Sequence, residues 1–303
     1  MLSASKCILY LRGHPVKKKS RAWSRFFCAG HPLARTRARC YNGSMMKRWL
    51  MFLSAVAFLL LLSTCAVRSL VFPGAQPGGC SPDSKYGHAE QYVSFTMGDG
   101  TVLRGWLFNR GAEAPLVVMY GGNSINAGDF SDYADEDTAR SYLLVNYRGY
   151  GGSGGSPTER DIVADSCAVL DQAKEKLGKP AATTLVGFSI GTGVAMQVAA
   201  AKNPDKVVLI CPFDSLVNVA CDFIPGIPNA VVEDKFVSTD YAKKVTCDVA
   251  ILRADSDEIV LPPRTDALRE SFGRPVTEKT FHATHNTIFN AEGFHDAFFA
   301  ELK

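Results

Sequence analysis

The chain has 303 residues, 47% hydrophobic and 21% charged, with a formal net charge of +3, a composition that suits one large globular domain or two small ones. The net hides a split, because residues 1–48 hold 12 Lys/Arg and no Asp or Glu, which leaves 21 basic against 30 acidic residues beyond them, a net of −9. That acidic remainder lacks the electrostatic footprint of a nucleic-acid binder, and no nucleic-acid partner is expected.

In chain order, residues 1–44 show no sustained periodicity and read as a basic, disordered or untranslated leader, or as an acid-free transit peptide. Met45 and Met46 then open residues 45–67 as a signal anchor or signal peptide. Its core is Trp49 to Val67, 19 residues without a charge. As a helix this run would reach about 28 Å, close to the hydrocarbon core of a bilayer. Lys47 and Arg48 before it place the acidic domain on the non-cytoplasmic side. Leu62-Ser63-Thr64-Cys65 offers a third version, a lipoprotein box with Cys65 as the lipidated residue and Thr64 where a smaller residue is usual. Residues 68–84, rich in Pro, Gly and Ser from Pro73, read as a linker, and 85–303 as the folded domain.

Within that domain, QYVSFT and TVLRGWLF flank Gly98-Asp99-Gly100, a hairpin turn signal. Apolar strand-length runs follow at Leu116 to Tyr120, Tyr142 to Tyr147, Thr183 to Phe188, Lys206 to Cys211, Asp248 to Leu252 and Val276 to Phe281, with helix-length segments between them. Continuous apolar strands are buried on both faces, and alternation with helices implies crossovers. The expectation is one α/β domain with a mostly parallel sheet, an antiparallel hairpin at its front and helices on both faces.

Gly149, Gly151 and Gly154 in NYRGYGGSGGSPTE fall in the spacing of a dinucleotide-binding loop. The capping box Ser156-Pro157-Thr158-Glu159 starts the next helix near residue 157, with a core stripe of Val163, Cys167, Leu170 and Leu177. Gly154 therefore lies outside the helix, where a fingerprint glycine would lie inside it. No nucleotide or other cofactor is expected.

The chemistry sits in TTLVGFSIGTG, where Gly187-Phe188-Ser189-Ile190-Gly191 matches G-x-S-x-G between a strand and a helical run at Val194 to Ala201. The flanking glycines permit a sharp turn that lifts the Ser189 hydroxyl to a helix N-terminus. A serine needs a base, and in this arrangement the acid and the histidine follow it in the chain. His14, His31 and His88 precede it, which leaves His282, His285 and His295. His295 shares a helix stripe with Phe294, Phe298 and Leu302, and His285 lies deeper than His282 in the loop after the last strand. His285 is the preferred base and His282 the alternative. Asp255, Asp257 and Glu258 are available as the acid, and Asp257 is preferred because Asp255 is placed to satisfy loop amides. Ile190 N–H is one oxyanion donor, and Gly121-Gly122-Asn123 supplies the second, assigned to Asn123 with Ser124 as the alternative.

None of the nine cysteines forms a C-x-x-C or a Cys/His ligand pattern, so no metal is expected. An oxidising compartment would allow a Cys211–Cys221 bridge that a domain of this size does not need.

The motifs SFTMGDGTVLRGWLF, GGNS, NYRGYGGSGGSPTE, GFSIGTG, CPFDSL, DSDEIVLPP and HATHN occur in the order found in α/β-hydrolase serine hydrolases. Over about residues 70 to 303 the chain resembles their small membrane-anchored branch, labelled serine-aminopeptidase-like and related to protein depalmitoylases. The resemblance implies a triad of Ser189, Asp257 and His285 and a glycine loop that borders the active site. It departs from the family at Gly121 in place of histidine, Ser124 in place of alanine and Ala254 in place of glycine. A small cap is expected at about 214–245, broken by Pro225, Gly226 and Pro228, with apolar Phe223, Ile224 and Ile227. Together these features imply a membrane-tethered hydrolase of carboxylic esters or thioesters, with small-molecule or acylated substrates. The alternatives are an aminopeptidase-type serine peptidase and an inactive fold acting as a binding module.

Overall fold

A computed structural model of the chain describes residues 46–47, 49–54, 67–75 and 88–303. The chain divides into two units, 1–50 and 51–303, and the described residues of the first are helical. Among the described residues no helix is long and apolar enough to cross a membrane. The basic leader, Cys65 and residues 55–66 of the expected span lie outside the described residues.

Eight strands form one sheet: β1 (Tyr92–Thr96), β2 (Val102–Phe108), β3 (Leu116–Tyr120), β4 (Ser141–Val145), β5 (Thr183–Phe188), β6 (Lys206–Ile210), β7 (Asp248–Ala254) and β8 (Thr277–Phe281). Their order is β1-β2-β4-β3-β5-β6-β7-β8. β1 pairs with β2 and β2 with β4 antiparallel, and every other pair is parallel. The front hairpin turns at Gly100, whose φ of 83° only glycine adopts freely, and Asp99 Oδ1 accepts from the Thr101 amide at 2.9 Å. Every residue of β3 and β5 is buried, as continuous apolar runs in the middle of a covered sheet require. On one face Leu143 and Leu185 pack with Ile162 and Leu170 of the helix Glu159–Leu177 and with Val194 and Val198 of the helix Ile190–Lys202. On the other, Trp106 and Tyr142 pack with Phe130, Phe294 and Phe298.

Element boundaries depart from the sequence expectation where side chains are recruited elsewhere. β4 stops at Val145 because the Asn146 side chain accepts the Ala127 amide at 2.8 Å and turns the chain into the glycine loop. β6 stops at Ile210 because Cys211 takes a positive φ of 50°. The helix after the glycine loop begins at Glu159, not 157. Thr158 is its N-cap, accepting from the Asp161 amide at 3.1 Å. Glu159 is drawn away from a capping box by Gln197 and the Lys235 amide, at 2.8 and 2.7 Å. Leu170 and Leu177 of the expected stripe are buried, but Val163 and Cys167 are only half-buried. The helix is rotated so that Ile162, Asp165 and Val169 face inward.

Arg148 meets the helix on that inward face. Its guanidinium grips Asp165 through Nε at 2.6 Å and Nη2 at 2.8 Å, and reaches Asp99 of the front hairpin at 2.6 Å. One cation thus ties the glycine loop, the helix and the hairpin turn together. The stretch expected as a linker, 68–84, begins inside a helical turn, residues 67–71, that packs onto the domain. Arg68 pairs with Glu233 and Asp234 at 2.5 and 3.0 Å, and buried Phe72 meets Phe236 edge-on.

Replacing Arg148 with Met leaves a buried Asp165 without its counter-ion and is expected to cost about 3 kcal/mol. Urea unfolding checks this as a fall in midpoint with an unchanged slope.

Candidate active site

β5 delivers Ser189 at φ 53° and ψ −122°, and the helix Ile190–Lys202 starts at the next residue. The turn is possible because two glycines let backbones meet. A Cβ on Gly187 would strike the Gly191 backbone, and one on Gly191 would strike the carbonyl of Tyr120. The Ser189 amide donates to Ile210 O at 3.0 Å, while Ser189 O accepts from the Thr192 amide and hydroxyl at 2.9 and 2.6 Å. These bonds fix the backbone and leave the side chain half-buried at the N-terminus of a 13-residue helix, where the dipole favours negative charge.

Asp257 follows β7 and His285 follows β8. His285 Nδ1 lies 2.8 and 3.0 Å from the two Asp257 oxygens, and the residues are 4% and 5% exposed. Asp257 Oδ1 also accepts the amides of Ile259 and Val260 at 2.9 and 2.7 Å. A carboxylate only accepts, so Nδ1 carries the proton and Nε2 is left with its lone pair. The imidazole packs against Phe188, the neighbour of Ser189, with ring centroids 5.1 Å apart. The His285 hydrogen bonds run to Asp257 and Glu258, and among the described residues none reaches Ser189. Catalytic contacts of this kind commonly tighten only around substrate.

The other histidines lie elsewhere. His282 is exposed and bonds Asp255 at 3.0 Å, and that bond holds its imidazole pKa above the ordinary value. His295 bonds Glu136 at 2.6 Å on the surface of the last helix, Phe294–Glu301. Asp255 is thus spent on an exposed pair.

Ser189, Ile190 and Asn123 share the wall of one cavity of about 270 Å3, and Asp257 and His285 are not among its lining residues. The remaining lining is apolar, from the stem at Val67, Leu70 and Val71, and from the cap at Phe223, Ile224 and Ile227. The cap consists of the helix Leu216–Phe223, a turn, and the short helix Thr239–Ala242.

The glycine loop shows its use here. Tyr147 Oη donates to Gly121 O at 3.1 Å and Tyr150 Oη to Asn123 O at 2.7 Å. Burial pushes both phenols above their usual pKa, so both stay protonated donors. The Gly74 amide adds a second bond to Asn123 O at 3.2 Å. The peptides on either side of the Gly122–Asn123 unit are pinned by their carbonyls, which leaves the amide between them unclaimed by these bonds. Sequence reasoning missed both tyrosines; the available signal was an aromatic at each end of YRGY in a loop otherwise made of small residues.

A family model described as alpha/beta hydrolase fold matches residues 115–243. Rv2307c, an uncharacterized protein of Mycobacterium tuberculosis strain H37Rv, is 31% identical over 217 residues, covering 69% of this chain and 75% of that protein. The chain belongs to the α/β-hydrolase fold family. Human alpha/beta hydrolase domain-containing protein 17B is 30% identical over 169 residues, 54% of this chain and 57% of the relative. The Pyrococcus furiosus esterase Pf2001 shares the fold, with a TM-score of 0.59 at 17% identity over 75% of this chain and 96% of the esterase.

In this α/β hydrolase, Cys211 completes a buried group with Asp257 and His285, their ligand-type atoms all within 4.8 Å of one another. The sequence spacing gave no hint of it, because β6 and β7 become neighbours only in the sheet. Cys211 and Cys221 are both free thiols, so the bridge between them is absent. Burial first, then the charge of Asp257 and a bond to it, push the Cys211 thiol well above the ordinary range. A thiol in that condition is a poor nucleophile. Iodoacetamide at pH 8 is therefore expected to leave Cys211 unmodified in folded protein and to label it after unfolding, as peptide mass spectrometry would read.

Proposed function

We propose that this chain is a serine hydrolase that cleaves carboxylic esters or thioesters through an acyl-Ser189 intermediate. One observation carries the reading: a serine held at φ 53° on a helix N-terminus opens into an apolar cavity, with a buried His–Asp pair behind its neighbour Phe188. In the proposed cycle His285 Nε2 takes the Ser189 proton as Oγ attacks the substrate carbonyl. The oxyanion is held by the amides of Ile190 and Asn123. Collapse breaks the ester or thioester bond, and the leaving group departs with the proton from His285. Water, deprotonated by the same imidazole, then releases the acid. Asp257 keeps Nδ1 protonated and stabilises the imidazolium.

The apolar lining suits an acyl chain. Among the described residues no Asp, Glu, Lys or Arg lines the cavity, so a substrate amine would find no counter-charge from them, which weighs against an aminopeptidase. The esterase activity named for Pf2001 is consistent with this assignment. A tether through the uncharged run Trp49 to Val67 completes the proposal, with the domain on the non-cytoplasmic side.

A fluorophosphonate probe is expected to label folded protein on Ser189 and to leave Ser189→Ala unlabelled. His285→Ala is expected to lose at least about 10³-fold in kcat on an ester substrate. His282→Ala, which alters only an exposed pair, is expected to stay within about twofold of the parent. Equal labelling of parent and Ser189→Ala, or loss on changing His282 alone, would overturn the assignment.

Tyr150→Phe removes one of the two bonds that orient the Asn123 peptide. It is expected to lower kcat by about tenfold, with KM and the urea midpoint close to the parent.

A further inference from the structure

Exposed large hydrophobics are concentrated at one place on the folded domain. Beyond residues 46–47 and 49–53, the described chain exposes five: Leu70, Phe223, Ile224, Ile259 and Leu261. Four of them, all but Leu261, also line the Ser189 cavity. They come from three separated segments, so no single stretch of sequence explains the cluster. Leu70 is 69% exposed and Phe223 57%, values at which a lone residue would be unremarkable but a shared rim marks an interaction surface.

The chain itself says what meets that rim. Val67, the last residue of the uncharged run from Trp49, is on the cavity wall beside Leu70 and Val71. The helix carrying them is fixed to the domain by Arg68 on Glu233 and Asp234, and by Phe72 on Phe236. The run therefore joins the domain at the cavity wall. The rim residues carry no charge and the chain beyond residue 48 is net −9. Attraction to anionic headgroups is thus disfavoured, and apolar insertion is the remaining mode.

We propose that the rim of Leu70, Phe223, Ile224 and Ile259 inserts into the lipid bilayer, so that the cavity opens onto the membrane. The docking rests on the exposed apolar rim and on the uncharged run that ends at Val67, and needs no assumption about the chemistry. The substrate class that follows, acyl chains of membrane-resident esters or thioesters entering from the lipid side, rests on the serine-hydrolase reading above.

The test uses the full chain in phosphatidylcholine vesicles, in a Trp49→Phe background, with one tryptophan added at a time. Phe223→Trp and Leu70→Trp are the rim probes, and Glu175→Trp, on the exposed side of the helix Glu159–Leu177, is the control. Lipids brominated along their acyl chains are expected to cut the added emission of both rim probes by about twofold or more, and to leave the control unchanged. The quenching is expected to persist in 0.5 M salt, about the condition where surface charge effects are largely screened, and in Ser189→Ala. Absence of quenching at either rim position overturns the docking. So does rim emission that follows protein density in the vesicle and ignores bromination, which would assign the rim to a second copy. Because no readout needs turnover, failure of the docking and failure of the nucleophile assignment are separate results.

Discussion

Ser189 occupies a backbone conformation that costs a non-glycine residue roughly 1–3 kcal/mol, and its surroundings are arranged to hold it there. The cost is offset by the Ser189 amide on Ile210 and by the helix that starts at once after it. That helix can start so early only because Gly191 lets it press on the Tyr120 carbonyl at the end of β3. Tyr120 is followed directly by Gly121, where the loop proposed to hold the oxyanion begins. One close approach therefore sets both the height of the hydroxyl and the origin of the loop that faces it.

The loop after β4 extends the same logic. Arg148 anchors it to Asp165, and Tyr147 and Tyr150 reach from it to the carbonyls of Gly121 and Asn123. Glycines at positive φ, such as Gly149 and Gly151, let the chain double back so that two aromatic residues three apart converge on one loop. A glycine spacing that imitates a nucleotide fingerprint is here the hinge work of a brace. The third glycine lies outside the helix, as the capping signal implied, although the cap itself is Thr158 and not Ser156.

The sheet was legible because its strands are continuous apolar runs with helices between them, a pattern that burial on two faces imposes on sequence. Ser189 was legible because its requirement is local: two glycines and a strand-to-helix change within five residues. His285 and Asp257 were placed by chain order and by the ends of the last strands, and the structure brings that pair together. What stayed hidden depends on neighbours distant in sequence. Cys211 meets Asp257 only through the β6–β7 pairing, and Tyr150 meets Asn123 only across the sheet ends. The helix Glu159–Leu177 buries Ile162, Val169 and Ala173 beside Leu170 and Leu177, and the Arg148 contact that puts Asp165 on the same face is one no periodicity count contains.

The segment least expected to matter joins these parts. Residues 67–75 begin with the last residue of the uncharged run, wall the cavity with Val67, Leu70 and Val71, and hold Asn123 O through the Gly74 amide. Under the proposed chemistry, one stretch of chain bounds the acyl site and steadies the oxyanion loop. A tether joined to the domain at a remote surface would hold the enzyme near a membrane without orienting it. Under the proposed tether, a joint at Val67 would fix orientation as well, since Val67 is itself part of the cavity wall. Proximity raises the local concentration of acyl substrates, whereas orientation spares them a full passage through water. For a long acyl chain that passage is the larger barrier, at about 0.8 kcal/mol for each methylene exposed, so the placement of the stem bears more on such substrates than the affinity of the cavity alone.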